Sequence, residues 1–211
     1  MNLLLGSASP ARRQTLINAG ITPSVMVADL DEDSLIADFA TQHPDMDTRS
    51  LATAQVQLLA TSKAQAIYEE MRRQGKNATV VVGCDSMLEM NGTIAGKPHT
   101  PHIARERLRN MRGNVGYLHT GHCVIDTATG KISEGVSTAA VHIANLTDAE
   151  IDAYIATGEP LHVAGSFTVD GFGGPFVEKI DGDYHGIVGI SLPLLRTLLA
   201  ELGHSITDFW N

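Results

Sequence analysis

Cysteine is scarce in this 211-residue chain: Cys84 and Cys123 are the only two, and they form no Cys-x-x-Cys pair. Neither a disulfide framework nor a thiolate zinc site is indicated. Positive charge is also short, with 15 Lys and Arg against 24 Asp and Glu, for a formal net charge of −9. That balance argues against nonspecific binding to nucleic acid or to an anionic membrane surface. Long apolar runs are missing, and no stretch approaches the roughly 20 residues of a membrane span. Met1-Asn2-Leu3-Leu4-Leu5 carries no charged side chain and too short an apolar run for a signal peptide. A soluble, cytoplasmic protein is the expectation. There is no internal repeat, no low-complexity tract and no linker rich in Gly, Pro or Ser. Residues 1–211 therefore read as one domain. Hydrophobic residues are 43% of the chain, enough for a large core.

What is present is a mixed order of elements. Leu3-Leu4-Leu5 reads as a short buried strand and Gly6 to Pro10 as a tight turn. Ser9 fits an N-cap and Pro10 the first position of a helix running to Ala19, with Gly20 beyond its end. Ser24 to Ala28 predicts a strand, followed by an acidic loop with Asp29, Asp31, Glu32 and Asp33. A long helix is expected over Thr48 to Gln74. Thr79 to Cys84 reads as a strand buried on both faces and ending at Asp85. Met87 to Met90 and Thr93 to Ala95 predict a hairpin about Asn91-Gly92. Thr100-Pro101 opens another helix. His119 to Asp126 and Val136 to Ala144 read as long strands. Thr147-Asp148-Ala149-Glu150 is a capping box opening a short helix. Gly165 to Ile180 reads as two short strands, and Leu192 to Leu202 as an amphipathic helix. The order predicts an α/β fold: a mixed β-sheet with flanking helices, in two lobes around a cleft.

The first helix start is the most informative segment. Arg12 and Arg13 lie in its first turn, where cations oppose the macrodipole. A bound anion reverses that argument, because free N–H groups, Ser7, Ser9 and two guanidiniums form a phosphate site. A solvated Arg pair is the plainer alternative. Asp85 stands at a strand end, where ligand sites of open α/β sheets collect. It suits a hard cation or a water, or simply caps the next turn. Glu32 is either a solvated acidic residue or a second hard ligand. Lys63 shares one helical face with Leu59 and Ile67, so it either snorkels outward or points into a cleft. Lys97, between Gly96 and Pro98, is either an exposed loop residue or a point charge for a phosphate. The pairs His99/His102 and His119/His122 lack the partners of a zinc site. No P-loop and no Gly-x-Gly-x-x-Gly occurs.

Several motifs fall in a recognisable order: Gly6-Ser7-Ala8-Ser9-Pro10-Ala11-Arg12-Arg13, Asp31-Glu32, Ser62-Lys63-Ala64, Gly83-Cys84-Asp85-Ser86 and Gly96-Lys97-Pro98. His119-Thr120-Gly121, Gly158-Glu159-Pro160 with Ala164-Gly165, and Val188-Gly189-Ile190 with Leu192-Pro193 continue the series. The last departs from the usual pattern by an inserted Ser191. Nearly end to end, the chain resembles the Maf family, also called septum formation inhibitor proteins. The resemblance implies an elongated mixed sheet and cleft like those of inosine triphosphate pyrophosphatases. It implies a nucleoside triphosphate pyrophosphatase that uses a divalent cation, Mg²⁺ or Mn²⁺. Asp85 matches the residue regarded as the catalytic proton acceptor. Ser7, Arg12, Lys63 and Lys97 match phosphate-binding positions, and Glu32 with Asp85 would hold the cation. A carboxylate is a weak base at neutral pH, so Asp85 also suits the role of metal ligand alone.

Base choice is where the chain departs from its relatives. A branch acting on dTTP and UTP has Arg, Thr and Gln where this chain has Ala11, Ser86 and Asp170. A branch acting on 7-methyl-GTP has Trp and Glu at the positions of Ala11 and Asp170. Asp170, an acceptor when ionised, suits the N1–H and N2–H₂ edge of guanine or a cationic methylated base. The expectation is a broad or purine-tolerant specificity for standard or modified triphosphates. The competing function is a nucleotide-binding regulator of cell division with little turnover. Nothing in the chain requires an oligomer, though a homodimer is compatible with it.

Overall fold

Three leucines and Gly6 form β1 (Leu3–Gly6), buried along its whole length. In this computed structural model, which describes residues 1–211, β1 lies inside a seven-stranded sheet of order β2-β1-β3-β5-β6-β7, with β4 also paired to β3. The other strands are β2 (Ser24–Val25), β3 (Val80–Met90), β4 (Thr93–Ala95), β5 (Val115–Asp126), β6 (Ile132–Ile143) and β7 (Val177–Asp181). β2, β1 and β3 are parallel. All other pairings are antiparallel.

Alternating side chains of this sheet pack two layers of helices. On one face Leu4, Val81, Cys123 and Ile125 meet Ala60, Ala64, Ile67 and Met71 of α3 (Thr48–Arg73). On the other, Leu3, Leu5, Val80, Val82 and Cys84 meet Leu16 of α1 (Pro10–Asn18) and Leu195, Leu198 and Leu199 of the C-terminal helix (Leu192–Glu201). The two thiols thus belong to opposite faces and remain free. Burial pushes both thiols up to about 12. Further along the sheet, Leu88, Met90, Leu118 and Val141 form a separate core with two helices, α4 (Pro101–Met111) and α5 (Asp148–Ala156). β3 and β5 contribute to this core and to the layers on both faces of the sheet.

Four expectations require correction. β3 does not stop at Asp85 but runs to Met90, joining what reads as two separate segments. Its pairing with β5 continues from Val80↔Asp126 to Glu89↔Tyr117, which carries the strand through. The acidic stretch is not a loop: Glu32 begins α2 (Glu32–Gln42), capped by Asp31, whose carboxylate accepts from Ser34 N (3.1 Å) and Ser34 Oγ (2.7 Å). Acidic residues at a helix start are favoured by the macrodipole. β2 is only Ser24–Val25, because it is an edge strand with exposed Val25 and Val27 and only short β1 to pair with. The Gly165–Ile180 segment yields one strand, β7, after two tight turns. A short helix not anticipated, α6 (Tyr184–Val188), is capped by Asp183; the helix from Leu192 is α7.

Candidate active site

β3 has an interrupted edge. On the side away from β5 it pairs with β1 over Val80–Gly83 and with β4 over Leu88–Met90. Between them the edge at Cys84–Met87 is open. β1 sends its chain through α1 to β2 on one side, while β3 adjoins it on the other. This is a topological switch point, and a crevice opens at the carboxyl ends of strands diverging in this way. Asp85 and Ser86 occupy the crevice, on opposite faces of the strand.

On the α3 face, Lys63 Nζ donates to Asp85 Oδ1 (2.6 Å) and lies 3.0 Å from Glu32 Oε2. Lys63 and Asp85 are largely covered, with side-chain exposures of 15% and 14%, while Glu32 is 44% exposed. The close approach of α3 is built by two glycines. A Cβ on Gly83 would run into the backbone of Ala60 and stand 2.7 Å from Ala64 N. A Cβ on Gly121, the cross-strand partner of Asp85, would run into Val56 O. Only bare backbone at these positions lets the helix settle on the sheet and deliver Lys63 to Asp85.

On the opposite face, the buried Arg12 ties three elements together. Its Nε donates to Gly189 O (2.7 Å), Nη1 to Ser7 Oγ (3.0 Å) and Nη2 to Ser86 Oγ (3.0 Å). Ser86 Oγ continues to Thr120 Oγ1 (2.8 Å), which donates to Gly186 O (2.8 Å). Ser86 therefore sits inside a polar network. Arg13, by contrast, is exposed and its guanidinium has no protein partner. It is the free cation of the first turn. Ser9 caps α1 by accepting from Arg12 N.

Beside this turn lies a half-open pocket of about 370 Å³, lined in part by Ala11, Asp170, Tyr184, His185 and Val188. Ala11 and Asp170 thus meet across one concavity, although they are far apart in sequence. Tyr184 adds the aromatic ring that Ala11 lacks. Sequence reasoning misses it because α6 is five residues long and leaves no periodicity.

A family model described as "Maf-like protein" matches residues 2–202. The chain belongs to the Maf family. Its Maf relatives include proteins named nucleoside triphosphate pyrophosphatase from Salinispora tropica, 49% identical across 100% of this chain and 88% of that one, and from Saccharopolyspora erythraea, 47% identical across 100% and 97%. A further one, from Nocardia farcinica, is 46% identical across 99% and 96%. Within this Maf chain the inserted Ser191 has a structural account. It is the N-cap of α7, and its backbone N donates to His122 Nε2 (2.9 Å). His122 Nδ1 then donates to Thr120 O (3.0 Å), which assigns the tautomer of the buried ring. The Maf motif Gly96-Lys97-Pro98 forms the loop after β4, and Lys97 is exposed with no hydrogen bond or ion pair. The structure does not join Lys97 by contact to the Lys63 cluster.

Proposed function

We propose that this chain hydrolyses the α–β phosphoanhydride of nucleoside triphosphates, releasing a nucleoside monophosphate and pyrophosphate. The observation carrying this reading is the Lys63–Asp85–Glu32 cluster at the open edge of β3, with Arg12 of α1 bonded to Ser86, the residue after Asp85. The names of the relatives support it. Phosphoanhydride cleavage requires charge neutralisation on the polyphosphate and an oriented water. The N–H groups of α1, Ser7, Arg13, Lys63 and the exposed charge of Lys97 supply the first, while Arg12 holds the turn in shape and presents its remaining N–H groups. Asp85 supplies the second: Lys63 bonds Oδ1, which leaves Oδ2 free to accept a proton from water.

Asp85 and Glu32 would hold the divalent cation, Mg²⁺ or Mn²⁺. Lys63 Nζ touches both carboxylates, which brings their hard oxygens close together. No group of three or more His, Cys, Asp or Glu gathers anywhere in the fold. This donor set suits a cation held by one or two carboxylates together with substrate phosphates. When bound, the cation neutralises polyphosphate charge and acidifies coordinated water.

Asp85→Asn is expected to stay folded by circular dichroism and to lose about 10²–10⁴-fold in pyrophosphate release. Full activity in that variant rejects the assignment. Orthophosphate as the product would make the chain a phosphatase. Nucleotide binding without product across a Mg²⁺ and Mn²⁺ series would favour the regulator. For the base, the exposed Asp170 carboxylate is an acceptor that matches the donor edge of guanine. A panel of triphosphates should place guanine nucleotides level with or above pyrimidines; dTTP and UTP far ahead would overturn this.

A further inference from the structure

Glu159, outside the Lys63 cluster, is the most heavily bonded carboxylate near the pocket. It follows α5 in a short turn (Glu159–Leu161) and is half-buried. Its Oε1 accepts from Tyr154 Oη (2.9 Å), Gly173 N (3.1 Å) and Thr168 Oγ1, and its Oε2 accepts from Phe172 N (3.0 Å). Tyr154 Oη in turn accepts from Thr168 N (3.1 Å). The carboxylate therefore grips both ends of the loop Thr168–Gly173. Burial pushes its carboxyl up, but the bonds from Thr168, Phe172 N, Tyr154 and Gly173 N outweigh burial and hold it below the usual range.

The loop it grips is the one that carries Asp170 into the pocket. Gly171, Gly173 and Gly174 give this segment little stiffness of its own. Their lack of side chains is also what lets the loop close down on Glu159. A Cβ on Gly171 would run into Glu159 Oε2, and one on Gly173 would stand 2.7 Å from Tyr154 Oη. A recognition group must be held to a fraction of an ångström to discriminate, and a glycine-rich loop achieves that only with an external anchor.

We propose that Glu159 is a positioning residue for base recognition: it anchors the Thr168–Gly173 loop so that Asp170 faces the nucleotide base, without touching substrate itself. This rests on the reading that the base lies against Asp170. The test uses binding rather than turnover, so that it does not depend on the hydrolytic reading. Calorimetry would measure α,β-methylene analogues of GTP and UTP, and methyl triphosphate as a ligand with no base.

In Glu159→Gln the amide keeps one acceptor and turns a donor toward backbone donors. The favoured analogue should weaken by about tenfold, the order expected for a lost charge-assisted hydrogen bond. The gap between the guanine and uracil analogues should shrink, while methyl triphosphate binding stays the same. Gly171→Ala, which presses on the same contact from the other side, should behave alike, and it provides the reading if Glu159→Gln fails to fold. An unchanged base gap in a folded Glu159→Gln overturns the inference. So does an equal loss for methyl triphosphate, because that marks a staple of the fold alone. Asp170→Asn separates the two ideas. A gap that survives Asp170→Asn rejects the base reading; a gap that Asp170→Asn abolishes and Glu159→Gln preserves rejects the role of Glu159. A wild type that binds methyl triphosphate as tightly as the nucleotides overturns both.

Discussion

At Lys63 one ammonium holds two carboxylates together. Without it, Asp85 and Glu32 would face each other at short range with Asp85 largely covered. Lys63→Met should therefore lower stability by about 2 kcal/mol, less than for a fully buried pair because Glu32 remains partly in water. The double variant Lys63→Met/Asp85→Asn should recover most of that loss, since the unpaired charge is gone. Urea unfolding of the four proteins of this cycle measures the coupling, and strictly additive losses would show that the pair is not energetically linked. Part of this residue scale was legible in the sequence, which left open whether Lys63 snorkels outward or points into a cleft. The four-residue spacing of Leu59, Lys63 and Ile67 placed Lys63 on the packed face of its helix. Ser86 was less legible: strand alternation puts it opposite Asp85, where its hydroxyl joins Arg12 and Thr120. The roles of the two arginines also needed coordinates. Sequence puts both in the first turn, while the structure buries Arg12 in contacts to Ser7, Ser86 and Gly189 and leaves Arg13 free.

The elements that make the site are α3 and β3, and their closeness depends on Gly83 and Gly121. Gly83→Ala should push α3 off the sheet, because the new methyl meets helix backbone that cannot rotate away. An overpacking cost of about 3 kcal/mol is expected. Thermal unfolding and pyrophosphate release should fall together, since the same shift withdraws Lys63 from Asp85. A stable Gly83→Ala protein with full activity would mean that the helix has slack not evident in the packing. Long, strongly patterned elements were readable from the chain: α1, α3, α4, α5 and α7 start at Ser, Thr or Asp caps, and most are followed by glycine. The misread elements have other causes. From sequence β3 reads as ending at Asp85 because its hydrophobic run ends there, yet cross-strand bonds to β5 continue past it. The loop around Asp170 takes its shape from Glu159 rather than from its own residues.

Over the whole molecule, two buried histidine and carboxylate sites make stability depend on pH. Burial, above all, lowers His122 to about 4 from the ordinary 6.5. Between those values the unfolded chain binds a proton that the folded chain refuses. Stability is therefore complete above pH 6.5 and falls as the pH drops toward 4, by about 3 kcal/mol in all. At the end of β5, Asp126 accepts from Thr129 Oγ1 (2.6 Å), Thr129 N (2.7 Å) and His204 Nε2 (2.6 Å), tying the C-terminal segment to the strand. The Thr129 bonds foremost, with that of His204, hold its carboxyl at about 2. Its contribution persists above the ordinary carboxylate range and is lost only as the pH falls through that range toward 2. Denaturant unfolding at pH 5 and pH 7.5 checks the His122 window. His122→Gln should flatten the difference between the two; an unchanged slope would assign it to other groups.

The sequence by itself determined the family, the α/β class, the main helices with their caps, and the set of polar residues worth watching. Those features are local: periodicity, capping and motif order are written within a few residues of one another. No helix is long and apolar enough to cross a membrane, which follows equally from the chain and from the fold. Only the tertiary structure decided which of the polar residues meet. Lys63 and Asp85 are 22 positions apart, Arg12 and Gly189 are 177 apart, and Ala11 shares a pocket with Asp170. Such distances are closed by sheet order and register, by an interrupted edge on β3, and by two glycines that admit a helix. These are properties of packing, and no single segment encodes them.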